Sequence, residues 1–135
     1  MKLATFEEDY WQLRSGVESH MLNPQKFWIP DESERRNLKI GDAAKLIFDV
    51  EGENDDGSIE VVGERIYVIV SEIIGEFYIG ILDSQPLCID PKDDFYLGFG
   101  VEVAFTQEHV IDIDRPPDDY IEWQLGQKPE KEWPR

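Results

Sequence analysis

The chain has 135 residues, of which 41% are apolar and 12% aromatic, and its formal net charge is −17 at pH 7. The apolar content excludes a disordered chain. The acidic balance argues against docking on nucleic-acid phosphates or anionic membranes, because both attract clustered Lys and Arg.

The start, MKLATFEEDYW, turns acidic at once and lacks the apolar stretch of a signal peptide. The longest unbroken apolar run, Ile66 to Val70, is too short to span a bilayer. Cys88 is the one cysteine, so no internal disulfide forms and a reducing compartment fits. These features predict a cytoplasmic protein. Cys88 lies between Leu87 and Ile89 and is expected to be a small buried hydrophobe.

In chain order, Thr5 to Glu8 reads as a capping box. Phe6, Tyr10, Leu13, Val17 and Met21 then recur at helical spacing, which predicts one amphipathic helix of about four turns. Asn23-Pro24 ends it, with His20 in its last turn. Lys26 to Pro30 is an extended connector, and Asp31 to Leu38 a short helical turn. Residues 43–50 alternate as a strand, and the solvated stretch EGENDDGS, residues 51–58, forms a hairpin tip. Residues 59–73 and 76–83 make a second hairpin, with Gly75 placed for a type II′ turn. That turn pairs Ile74 with Phe77, Glu72 with Ile79 and Val70 with Ile81. Both faces of this hairpin are apolar near its middle. Gly80 is expected to face Ser71 and leave a notch for a large ring such as Trp11 or Trp28.

A longer connection containing Pro86, Pro91, Asp93-Asp94 and Tyr96 follows. Residues 101–106 and 110–113 are strands separated by one turn, and Pro116-Pro117 stops pairing. Asp118 to Leu125 is a short helix capped by Asp118 or Asp119, and the last ten residues are expected to be extended or frayed.

This order predicts an α+β fold in one domain of residues 1–135. Residues 1–38 form a helical segment, 39–113 a β core and 114–135 a carboxy-terminal arm. The core is either a small antiparallel SH3-like barrel or a twisted sheet. The amino-terminal helix is expected to cover one face of the central hairpin through Phe6, Tyr10, Leu13 and Val17.

The stretch GERIYVIVSEIIGEFYIGILDSQP followed by GFGVEVAFTQEHVIDI resembles the YegJ-type bacterial family of unknown function. Tyr78, Gly80, Leu82 and Pro86 match the middle of the family pattern, and His109-Val110 its end. The resemblance covers about residues 63–113. Gly98-Phe99-Gly100 stands where the family usually has Gly-Asp, and the first 40 residues and the Trp-rich tail lie outside the match. It implies a sheet-based domain in a bacterial cytosol, and no activity comes with it.

His109, Asp112 and Asp114 supply one imidazole and two carboxylates within six residues, a set able to ligate a divalent metal. As strand residues, Asp112 and Asp114 share a face that His109 need not join. The pairs Asp55-Asp56, Asp93-Asp94 and Asp118-Asp119 do acid–base work only if burial separates their pKa values. EGENDDG lacks the ligand alternation and closing Glu of an EF-hand loop. There is no Gly-x-Ser-x-Gly elbow, P-loop or dinucleotide fingerprint. Residues 63–111 hold only Arg65 and Lys92 as cations against nine acids, the wrong sign for a nucleic-acid barrel.

No cofactor is expected. The leading expectation is a non-enzymatic interaction module that presents acidic surface to a basic protein, and a toxin-neutralising immunity protein would fit that description. Trp123 and Trp133, with Asp118 and Asp119, would either serve as a docking arm or pack back on the chain's own barrel. The alternative is a metal-dependent hydrolase or small-ligand binder using His109, Asp112 and Asp114.

Overall fold

The alternating residues after Gly41-Asp42 build a long antiparallel pair, β2 (Ala43–Glu53) and β3 (Ile59–Ile74), in register from Ala43↔Ile69 to Glu53↔Ile59. The computed structural model describes residues 1–89 and 97–135. The expectations that rest on Pro91, Lys92, Asp93, Asp94 and Tyr96 lie outside them. Strand β4 (Phe77–Leu82) pairs with β3, and β5 (Glu102–Thr106) with β4. Two three-residue strands share the other edge of β2. β1 (Trp11–Leu13) lies against Phe48 to Val50, and β6 (Asp112–Asp114) against Ala43 to Lys45. The result is an α+β fold whose six-stranded antiparallel sheet curls into a half-barrel. A 3-10 turn, Gln107–His109, links β5 to β6. Among the described residues no helix is long and apolar enough to cross a membrane.

The expected amino-terminal helix is replaced by three elements: α1 (Phe6–Asp9), β1, and α2 (Gly16–Leu22). Tyr10 adopts the left-handed conformation, φ 66°, and ends α1. The chain then extends, which buries Trp11 and pairs it with Val50. Ser15 caps α2 by accepting from the Glu18 amide at 3.0 Å. Helical spacing was present, but edge pairing and burial of a Trp off the helical row outweigh local propensity. Of the expected contact row, Tyr10 is exposed and only Leu13 packs on the core.

The expected turn at Asp31 is α3 (Glu32–Arg35). Buried Arg35 fastens it, donating Nε to the Pro30 carbonyl at 2.9 Å and Nη1 to the Gln107 carbonyl at 3.2 Å. Tyr78 donates its hydroxyl to the Arg35 carbonyl at 3.1 Å and stacks on Phe105 at 5.2 Å.

The hairpin at Gly75 forms with φ 59°, and Ile74↔Phe77 and Glu72↔Ile79 pair as expected. Beyond them a bulge at Ser71 shifts the register by one, so Val70 meets Gly80 rather than Ile81. Ser71 instead donates its hydroxyl to the Ile79 carbonyl at 3.2 Å. The notch at Gly80 is filled by its own sheet: an added Cβ would lie 2.6 Å from Val68 Cγ2 and 3.2 Å from Phe105 Cε1. Trp28 is exposed, and Trp11 packs on Phe48 instead. Gly80→Ala is therefore expected to destabilise by about 2 kcal/mol through overpacking. Urea unfolding measures it, and an unchanged midpoint would contradict the close approach.

Both faces of the central hairpin are buried. Phe48, Val68, Val70, Leu82 and Phe105 belong to the main core, while Ile69 and Ile81 are buried outside it. The second face is covered by α4 (Asp118–Leu125), which packs on β3. Tyr120 Oη and Gln124 Nε2 both donate to Asp83 Oδ1, at 2.5 and 2.8 Å. The cap of α4 is Pro117 rather than Asp118 or Asp119.

Candidate functional site

Each residue of the expected metal set has partners of its own. His109 is buried in a capping box at the 3-10 turn, and its Nδ1 accepts from the Thr106 amide at 3.0 Å. Burial pushes its imidazole below the ordinary value. Asp112 accepts from the Tyr67 hydroxyl at 2.8 Å and from the Ile113 amide at 2.9 Å. Burial, and then that bond to Asp112, push the Tyr67 hydroxyl up to about 12. Asp114 is exposed and accepts from the Arg115 amide at 2.8 Å. Among the described residues no group of three or more His, Cys, Asp or Glu side chains is placed to hold a metal ion.

The carboxy-terminal arm lies back on the fold. The Glu102 amide donates to the Lys131 carbonyl and the Glu130 amide to the Gly100 carbonyl, at 2.9 and 3.0 Å. Trp133 is buried against Trp11, with ring centroids 6.0 Å apart. Its Nε1 donates to the Lys2 carbonyl and its amide to Glu102 Oε1, both at 2.9 Å. Of the two states expected for the last residues, extended or frayed, the tail is extended, because an aromatic anchor and strand-like bonds outweigh the polarity of the segment.

Glu102 is a buried carboxylate held by Arg135 at 2.5 Å. Burial pushes its pKa up, but the bonds from Arg135 and from the Trp133 amide outweigh that and hold it below the usual range. A lowered folded-state pKa contributes stability above the ordinary carboxylate value, and that stability is lost as pH falls through the folded value. Glu102→Gln is expected to be less stable than wild type at pH 7, with the gap narrowing as pH falls below about 4. Paired urea titrations check this; a gap that widens in acid would contradict it.

The clearest exposed feature is the hairpin arm formed by the far ends of β2 and β3. Strand β1 stops at Trp11↔Val50, and β4 reaches β3 only from Val68 onward. Beyond the bond from the Glu51 amide to the Tyr10 carbonyl at 2.9 Å, the described strands of the arm pair with each other through Val50↔Val62, Glu51↔Val61, Gly52↔Glu60 and Glu53↔Ile59. Asn54 to Ser58 close the tip, with the Asn54 amide donating to the Ser58 carbonyl at 2.9 Å. Asp56 accepts from the Ser58 hydroxyl and amide, which lowers its pKa and keeps it ionised. Residues 50–64 contain Glu51, Glu53, Asp55, Asp56, Glu60 and Glu64 and no Lys or Arg. Ile59 and Val61 are 63% and 51% exposed on this arm, with Val62 beside them at 37%. Strand parity puts Ile59 and Val61 on the same face as Glu53 and Glu51.

Of the expected docking residues, Trp133 is buried, whereas Trp123 is exposed on α4 with Asp118 and Asp119. Cys88 is exposed rather than buried, because Glu64 accepts from the Leu87 and Cys88 amides at 2.7 and 3.0 Å and holds this turn outward. Partial desolvation of the sulfur, and then the adjacent Glu64, push the thiol up to about 12, so it is a poor nucleophile although the residue is exposed. The exposed strand residues after the tip, Ile59 to Val62, carried no functional expectation. Their signal was the apolar alternation continuing past the last residue that β1 or β4 can cover. Comparison with family models, with curated proteins and with solved structures gives no match.

Proposed function

We propose that the chain is a non-enzymatic interaction protein that engages a cationic protein through its β2–β3 arm. The observation that carries this reading is the pairing of exposed Ile59, Val61 and Val62 with carboxylates on a ribbon that lacks any cation. Apolar side chains supply the buried centre of an interface, and a charged rim sets partner choice and encounter rate. A net charge of −17 extends the same attraction over the whole surface. Neutralisation of a basic toxin, in a bacterial cytoplasm, is the form of this function that the acidity favours.

Trp123, flanked by Asp118 and Asp119, is proposed as a second contact of the same kind. The half-barrel is proposed to be an SH3-like barrel left open, and the likeness of residues 63–113 to the YegJ-type family belongs to the same proposal. The test is affinity capture from the expressing cells with the full chain as bait. A basic protein held at low salt, released at high salt and lost with a Glu51/Glu53/Glu60→Lys bait supports the proposal. Capture that is indifferent to both salt and the arm sinks it.

A further inference from the structure

A second site of opposite sign lies on the outer face of the sheet. The register sets Lys45 opposite Tyr67 and Ile47 opposite Arg65, which makes Lys45 and Arg65 diagonal neighbours on one face. Lys26, Phe27 and Trp28 form a facing wall, and Ile111 and Asp112 complete a groove of about 280 Å³. The wall is fixed in place. The Phe27 amide donates to the Asn23 carbonyl at 2.8 Å, and His20 donates from Nδ1 to the Phe27 carbonyl at 2.6 Å.

Among the described residues, Lys26, Lys45 and Arg65 form no ion pair, as is also true of Lys39 and Lys128; what sets the three apart is that they lie together in one groove. Lys2, Arg14, Arg36, Arg115 and Arg135 each pair with a carboxylate. Among the described residues no carboxylate lies within 4.0 Å of the charged nitrogens of Lys26, Lys45 or Arg65. Aromatic rings hold two of them instead. The Arg65 guanidinium lies 5.3 Å from the Phe27 centroid, and the Lys45 ammonium 5.4 Å from the Tyr67 centroid. A cation seated on a ring keeps its N–H donors available for an anion. Asp112, the one acid among the described residues that line the groove, is the cross-strand neighbour of Lys45 and accepts from Tyr67 and the Ile113 amide, so it offsets part of the positive charge there. At the rim, Trp28 is 68% exposed and offers a stacking face.

We propose that this groove binds a small planar anion of the mononucleotide type, with its phosphate on Arg65 and Lys45 and its ring on Trp28. The volume, about 280 Å³, falls just below the range of small-ligand pockets, roughly 300–1,000 Å³, which suits a small ligand held in part at an open rim. A polyanion is disfavoured, because its charge extends well beyond the groove into the field of a chain with net charge −17. A mononucleotide feels chiefly the local cations, within a Debye length of about 8 Å. The site is independent of the hairpin arm.

The experiment is a titration of the isotope-labelled full chain with AMP, adenosine and inorganic phosphate, read by amide chemical shifts. AMP is expected to shift residues 26–28, 45, 65–67 and 111–112. It should bind at least about fivefold more tightly than adenosine or phosphate, since one stacked base and one phosphate contact each add to affinity. Arg65→Gln and Trp28→Ala should each weaken AMP by about tenfold without disturbing the remaining spectrum, both side chains being exposed. The Glu51/Glu53/Glu60→Lys variant should bind AMP as wild type does. Absence of shifts at about 10 mM AMP, a preference under about fivefold, or shifts that survive both groove substitutions would each overturn the assignment.

Discussion

Trp133→Ala is expected to destabilise the fold by about 3–4 kcal/mol, among the largest effects of any single truncation in the chain. The ring sits edge-on to Trp11, whose own ring lies 5.6 Å from Phe48, so it continues the aromatic core out to the tail. Its Nε1 bonds the Lys2 carbonyl, joining the last residues to the first. Its amide helps hold Glu102, a carboxylate that burial would otherwise disfavour. Truncation removes the ring and its bond to the Lys2 carbonyl together, and leaves a cavity beside Trp11. At this chain length the loss corresponds to a fall in Tm of roughly 10 °C. Trp123→Ala is the control: that ring is 53% exposed, and its removal should change stability by no more than about 0.5 kcal/mol. Urea unfolding followed by circular dichroism compares them, and equal effects would contradict the account of the arm.

Reversing the arm's charge is expected to act on association and not on folding. In Glu51/Glu53/Glu60→Lys the side chains leave a two-stranded ribbon on which Glu53 and Glu60 are exposed and Glu51 half-buried, so unfolding should change little. The rate of encounter with a basic partner should fall by about 10- to 1,000-fold at low salt, because steering depends on the sign of the local field. Ile59→Ser with Val61→Ser should act differently, raising the dissociation rate while the association rate stays close to wild type. Surface plasmon resonance with the captured partner separates the two effects. Identical effects of both variants on the two rates would mean that the arm is not the contact surface.

The strands of the half-barrel were legible because alternation of apolar and polar side chains is a local signal. Residues 43–50, 59–73, 76–83 and 101–106 appear with small boundary changes, and Gly75 sits where the turn requires φ > 0. The bulge at Ser71 was not legible, since both faces of β3 are apolar there and either register buries large side chains. Strand β1 was hidden inside a helical spacing. Only the pairing of Trp11 with Val50, 39 residues away, makes it extended. The cover of the outer face was assigned to the first helix, whereas α4 supplies it through Tyr120 and Gln124 on Asp83.

The acidic arm was readable as EGENDDGS because its charges are contiguous. The cationic groove was not, because Lys26, Lys45 and Arg65 come from a connector and two strands about twenty residues apart. Counting charges along residues 63–111 gives an acidic total and misses a local excess that only strand register creates.

The most direct test of the interaction surface is a photo-reactive amino acid placed at Val61 of the full chain in its own cells, with Met21 as the control position. Both side chains are exposed, at 51% and 74%, so neither substitution should disturb packing. The predicted result is an adduct with a basic protein at Val61 that disappears when lysates are brought to high salt before irradiation. No adduct at Val61, or the same adduct at Met21 regardless of salt, would contradict it.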